Sequence, residues 1–287
     1  MIERGLFLLK ASRPGLWFQT LWLYTLPLAT SHRVGDAAFW LGFAFVLLPL
    51  NLLVYGWNDL VDRETDAINP RKDSYLFGAR GTPAQLATLP LAIAAINAPF
   101  FLVFVILRGG IMAAILAGMV LTVALYNLPR HGLRGRPPLE LLNQFGYLLI
   151  LPFAIVLNDV PPLPWQSVAY LALFCTHAHL MGEIMDVTPD REAGRRTTAT
   201  VLGIIPVKLI CLVLVLAEAF LLWIVFRDHV LGTFLLLGAG WLVFDLFAFR
   251  DRSYSQSQFL LFGAGLNLSG FASMAWVWAT GTLTRLP

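Results

Sequence analysis

Charge is what this chain has least of. Of its 287 residues only 13% are Asp, Glu, Lys or Arg, while 58% are hydrophobic. A soluble domain carries about 25% charged residues, so a mean hydropathy of +0.72 excludes that class. Cysteine is nearly absent as well. Cys175 and Cys211 stand alone within apolar stretches, which excludes a disulfide framework or a thiolate metal site and leaves packing as their role. Alternating polarity in segments of about ten residues is missing, so an outer-membrane barrel is excluded. With no soluble basic region to carry it, the net charge of +3 is not a nucleic-acid footprint, and no nucleic-acid partner is expected. No linker divides residues 1–287, which read as a single domain.

What is present is a series of apolar runs, each about as long as the ~20 residues that cross a bilayer. Nine are expected, near 15–31, 37–57, 84–107, 109–126, 140–157, 164–184, 203–226, 230–249 and 258–280. The class is all-α: a polytopic membrane bundle of nine transmembrane helices. Residues 1–14, with Arg4, Lys10, Arg13 and Pro14, read as an interfacial segment, not a removable signal peptide. Placing the N-terminus in the cytoplasm puts sixteen of the 20 basic residues on that side, as the positive-inside rule requires. The expected location is the cell (inner) membrane, multi-pass, with the longer polar loops and the active site facing the cytoplasm.

Seven of the 17 acidic residues, counting Glu192 just after the second, fall in or beside two short blocks at the ends of apolar runs. The first is Asn58-Asp59-Leu60-Val61-Asp62-Arg63-Glu64-Thr65-Asp66. Spacings of three and four put Asp59, Asp62 and Asp66 on one helix face, with Asn58 four residues before Asp62. Carboxylates stacked this way repel one another, and Mg²⁺, which takes carboxylate and phosphate oxygens in one octahedral shell, removes that penalty. The polar stripe continues into the membrane through Tyr55 and Asn51.

The second block is Asp186-Val187-Thr188-Pro189-Asp190. His179, Glu183, Asp186 and Asp190 follow a four-three-four spacing, although Pro189 is expected to bend or end the helix. Arg191, Arg195 and Arg196 follow as phosphate-suited donors, Gly194 permits a turn, and Thr197 is a candidate cap. His177 and His179 point to different helix faces, so a transition-metal pair is not expected. His179 and Glu183 read either as a structural hydrogen bond or as cavity groups that orient an acceptor or remove a proton. The acidic blocks follow the second and sixth runs, a positional echo of an internal repeat.

These residues resemble the UbiA superfamily of intramembrane prenyltransferases. Asn58, Asp59, Asp62 and Asp66 match that family's N-D-x-x-D-x-x-x-D pattern, and Asp186 and Asp190 match its D-x-x-x-D pattern. The resemblance implies two Mg²⁺ ions held by Asn58, Asp59, Asp62, Asp66, Asp186 and Asp190, and an isoprenyl diphosphate donor. It implies basic donor-binding candidates in Arg63, Arg71, Lys72, Arg134, Arg136 and Arg191. Arg130, Arg134 and Arg136 serve equally well as orientation charges. A lipophilic small-molecule acceptor would lie near Tyr126, Asn143, Tyr55, Asn51 and His179, with Glu183 a candidate catalytic group. Arg13-Pro14 with Trp17 resembles an N-terminal feature of the family whose role the residues leave open.

Asn69-Pro70-Arg71-Lys72 is similar to the branch that holds carotenoid (lycopene) elongases. Enzymes acting on aromatic quinone precursors remain an alternative, although Gly182 and Glu183 occupy the region where many hydroxybenzoate enzymes carry a lysine. Terpene cyclases of the same superfamily use these motifs without an external acceptor. From another class, a cation transporter would route ions past the intramembrane Glu218 and Asp245.

Overall fold

The computed structural model describes residues 2–128 and 132–287, and Arg130 lies outside the described residues. Among these residues there is no strand, only helices. An amphipathic helix α1 (Ile2–Ala11) tucks Phe7 and Ala11 against the bundle. Helix α2 (Trp17–Thr25) leads through a 3₁₀ turn at Leu26–Leu28 into α3 (Ala37–Asn51). A π-turn at Leu52–Gly56 continues α3 into α4 (Trp57–Val61), and α5 (Arg63–Ile68) follows. Then come α6 (Pro83–Asn127), a 3₁₀ segment (Leu139–Leu149) running into α7 (Ile150–Asn158), and α8 (Trp165–Glu192). The short α9 (Thr198–Leu202), α10 (Ile204–Phe220), α11 (His229–Ala248) and α12 (Gln256–Thr280) complete the chain.

Among the described residues seven helices are long and apolar enough to cross a membrane, where the sequence led us to expect nine. The difference has two physical sources. The runs expected at 84–107 and 109–126 form one 45-residue helix, broken at Gly109 by φ 67°, ψ −152°, a conformation open to glycine and strained for other residues. Before that break Asn97 donates to the Pro49 carbonyl at 3.0 Å and Phe104 meets Phe45 edge-on. After it, Gly118 faces Leu149 and Gly146 faces Thr122; just before it, Arg108 donates to the Leu157 carbonyl at 2.6 Å. The two limbs therefore run in opposite directions along their neighbours. The first expected run holds no single helix of span length because Pro27 falls in the 3₁₀ turn that ends α2.

Two apolar clusters hold the bundle. The larger joins α2, α3, α6, α7 and the start of α8, with Tyr24, Phe45, Phe104 and Phe153 fully buried. The smaller joins α8 to α11 through Leu180, Ile184, Val207, Cys211 and Leu242. The last helix, α12, closes on α2 and the turn before it: Trp22 donates to Ser273 at 3.0 Å and Asn267 to the Gly15 carbonyl at 2.7 Å. The outer face is apolar, with Ile106, Phe247, Leu261 and Leu268 all exposed, as a lipid-facing surface is.

Charged groups inside the helices are paired. Lys208 Nζ lies 2.6 Å from Asp245, and His177 Nδ1 lies 2.5 Å from Glu218. Each pair ties neighbouring helices together, which is how the bundle tolerates charge at that depth.

Candidate active site

The first acidic block sits where helix α3 loses its regularity. Pro49 has no N–H to give, and the π-turn at Leu52–Gly56 inserts an extra residue before Trp57. That slip breaks the four-residue stripe read from the sequence. Tyr55 lines the cavity described below, but Asn51 does not. It is buried against α2, donating to Thr20 Oγ1 at 2.8 Å and to the Val46 carbonyl at 2.7 Å.

Helix geometry breaks again at Asp62 (φ −86°, ψ 4°). The turn pitch nonetheless persists, because the Asp62 N–H donates to the Asn58 carbonyl and the Asp66 N–H to the Asp62 carbonyl, both at 2.8 Å. Asn58, Asp62 and Asp66 therefore line one cavity of about 280 Å³. Asp59 is turned aside. Its Oδ1 receives Arg13 at 2.8 Å and Lys72 at 2.5 Å, and its Oδ2 accepts the Ala79 N–H at 3.3 Å. Gly78 makes that approach possible: φ is 101°, and a Cβ there would stand 3.0 Å from Asp59 Oδ2.

The second block is more regular than the sequence suggested. Helix α8 runs through Pro189 to Glu192, so His179, Glu183, Asp186 and Asp190 keep one face, and all four line the same cavity. Gly194, at φ 67°, turns the chain. Thr197 then caps α9, accepting the Thr200 N–H at 3.2 Å.

Basic residues knit the two blocks together. The segment Asn69–Lys72 is the strap: Asn69 donates to Asp186 at 3.0 Å and Arg71 pairs with Asp186, while Lys72 lies 2.5 Å from Asp59 and 2.7 Å from Asp66. Arg71 is flattened over the Phe77 and Phe259 rings at 4.6 and 5.2 Å. On the other side Arg134 pairs with Asp62, and Arg195 stands 3.4 Å from Asp62 and 3.6 Å from Asp190. Burial pushes the Asp66 carboxyl up to about 6, and the neighbouring Asp59 charge adds to that, against the pull of Lys72.

Other candidates lie elsewhere. Arg63 is exposed beside Glu64 at 3.9 Å, and Arg136 and Arg191 are exposed; none of the three lines the cavity. Tyr126 and Asn143 do line it. So do Gln19, Glu140, Gln144 and Tyr147, which the motif-based reading passed over. The last three follow a four-three spacing, the same kind of stripe that exposed the acidic blocks. Arg195 was legible as a donor, but its position between Asp62 and Asp190 depends on the turn at Gly194.

The donor set suits a hard divalent cation. Asn58 Oδ1 is buried without a hydrogen-bond partner and faces the cavity beside the Asp62 and Asp66 carboxylates. Among the described residues no three His, Cys, Asp or Glu side chains converge on one point to hold a metal. The cavity-lining carboxylates Asp62, Asp66, Asp186 and Asp190 fit Mg²⁺, which takes one or two carboxylates and fills its shell with water and substrate phosphate.

A helical membrane bundle whose carboxylates and cations line one cavity together with Leu23, Val54, Phe174, Phe262 and Leu266 suits a ligand with an anionic head and a greasy body. The sequence model of the UbiA prenyltransferase family matches residues 16–271. The chain belongs to that family and is a prenyltransferase.

Among its relatives, a lycopene elongase/hydratase of Corynebacterium glutamicum is 30% identical over 206 residues, covering 71% of each chain. One from Haloarcula japonica is 32% identical over 206 residues, covering 71% of this chain and 67% of the relative. The fold is similar to that of a UbiA homolog from Archaeoglobus fulgidus bound to DMAPP and Mg²⁺. That likeness has a TM-score of 0.66 at 15% identity and covers 96% of this chain and 99% of the other.

Proposed function

We propose that the protein is a Mg²⁺-dependent intramembrane prenyltransferase that ionises an isoprenyl diphosphate and joins its prenyl group to a carotenoid acceptor. The observation that carries this reading is the meeting of the two acidic blocks at one cavity, strapped together by Asn69–Lys72. A carotenoid acceptor is favoured over an aromatic one by the lycopene elongase/hydratase relatives. In this reading the chain crosses the cell membrane nine times, with its N-terminus and its site toward the cytoplasm, and two Mg²⁺ ions are held.

Asn58, Asp62 and Asp66 on one side and Asp186 and Asp190 on the other would hold the metal, with Asp59 anchoring Lys72 and Arg13. Bound Mg²⁺ supplies Lewis-acid neutralisation of charge on the departing diphosphate. Arg71, Lys72, Arg134 and Arg195 stabilise the same charge as the C–O bond breaks, because they are fixed in a site shielded from bulk water. Leu23, Val54, Phe174 and Leu266 surround the prenyl body with apolar surface and keep water from the allylic cation. An acceptor double bond then attacks that cation, and a proton leaves.

Glu218 and Asp245 do not form an ion path in this reading, since each is engaged by a neighbouring helix through His177 or Lys208. The test supplies purified protein in detergent with labelled DMAPP, lycopene and Mg²⁺. Magnesium-dependent diphosphate release together with a carotenoid enlarged by one prenyl unit is expected. Release giving only a cyclised hydrocarbon would support a cyclase. The absence of release from both DMAPP and GPP would sink the reading.

A further inference from the structure

We propose that His179 is the base that removes the final proton, with Glu183 as its positioning residue, and that this pair decides whether the product is an alkene or an alcohol. The inference rests on the prenyl-transfer reading above. Along α8 each residue rises about 1.5 Å. Glu183 therefore stands about 4–5 Å, and His179 about 10 Å, deeper in the membrane than Asp186. In this proposal the reacting carbons lie at that level, beyond a diphosphate held between the acidic blocks.

Glu183 is fixed from behind: its Oε2 accepts the Ala199 N–H at 3.0 Å. Its Oε1 has no hydrogen bond and lies 3.1 Å from His179 Nε2, which has none either. The His179 ring also meets the Tyr126 ring edge-on, and both residues line the cavity. A carboxylate beside one ring nitrogen orients the ring and fixes its tautomer. Away from the acidic blocks, the other polar lining groups are poorer bases. Tyr55 and Tyr147 are phenols, Gln19 and Asn143 are amides, and Glu140 is engaged by the Thr198 N–H at 2.8 Å and its hydroxyl at 2.7 Å.

C1 of the allylic cation bonds to one carbon of an acceptor C=C, leaving a cation on the other carbon. A C–H next to that cation gives its proton to the His179 ring nitrogen that does not face Glu183, and its electron pair becomes the new C=C. When no base is in place, water adds to the cation, a proton passes to solvent, and the product is an alcohol.

The test compares the wild type with His179→Gln and Glu183→Gln, using DMAPP, lycopene and Mg²⁺ and reading both diphosphate release and the alkene-to-alcohol ratio. The Gln at 183 keeps an oxygen for the Ala199 N–H. With His179→Gln, diphosphate release is expected to stay within about threefold while alkene falls about 10²-fold, the ordinary worth of a general base, and alcohol rises. Glu183→Gln is expected to shift the ratio the same way by a smaller factor, and added imidazole to restore alkene in His179→Gly.

An unchanged ratio in His179→Gln overturns the proposal. So does a parallel loss of release and alkene, which would put His179 in the donor site, or a wild type that makes alcohol alone. A wild type that releases no diphosphate overturns the prenyl-transfer reading first, and this assignment with it.

Discussion

Lys72 offers a quantitative test of how the site tolerates its carboxylates. Its side chain is 6% exposed, and its ammonium lies between Asp59 Oδ1 at 2.5 Å and Asp66 Oδ2 at 2.7 Å. Breaking a buried pair by removing one partner costs about 3–5 kcal/mol, since the other charge is left buried. Two features of the site place Lys72→Met at the lower end, about 3 kcal/mol. Arg13 still reaches Asp59 at 2.8 Å, and the Asp66 carboxyl, already pushed up to about 6, can take a proton. If Mg²⁺ occupies the site, it supplies the positive charge that the variant lacks. Lys72→Met is therefore expected to melt at lower temperature than wild type in EDTA, with most of the difference recovered in millimolar Mg²⁺. The assay is thermal unfolding in detergent under both conditions. An equal deficit with and without Mg²⁺ would refute the reasoning, because Lys72 would then be a structural link indifferent to the metal. No deficit in EDTA would refute the buried-charge argument itself.

The other predictions concern single contacts. Asp62→Asn and Asp190→Asn should each lower Mg²⁺-dependent diphosphate release by at least about 10²-fold, the scale lost when a group stabilising the departing charge is removed; near-normal turnover in either would take that carboxylate out of the metal site. Arg71→Ala removes the Asp186 partner and the stacking on Phe77 and Phe259. It should raise the apparent KM for DMAPP about tenfold, and an unchanged KM would reduce Arg71 to a structural strap. At Gly42 an added Cβ would stand 2.3 Å from the Tyr24 hydroxyl and 2.7 Å from Leu157. Gly42→Ala should therefore destabilise by about 1–3 kcal/mol through overpacking, read as a lower melting temperature.

Much of the site was legible because charge is so scarce here. Asp62, Asp66, Asp186 and Asp190 stood out against an apolar background, and their three- and four-residue spacings survive in helices that keep nearly regular pitch. Asn51 shows where that logic stops. The same spacing rule extended the stripe to it, but Pro49 and the π-turn rotate it toward Thr20. Pro189 misled in the other direction. A proline argues for a bend, yet α8 continues through it, so His179 and Asp190 keep one face.

Composition by itself determined that this is a helical membrane bundle, because no other fold satisfies its backbone in lipid with runs this long and apolar. Periodicity picked out the carboxylates, since a helix fixes the angle between neighbours. Only the tertiary structure decided which cation meets which acid. Arg71 reaches Asp186 across 115 positions of chain while Arg63 and Arg191, adjacent to the acidic blocks, face away. Nothing local sets such pairings. They depend on where the strap at Asn69–Lys72 and the turn at Gly194 settle once the helices have packed.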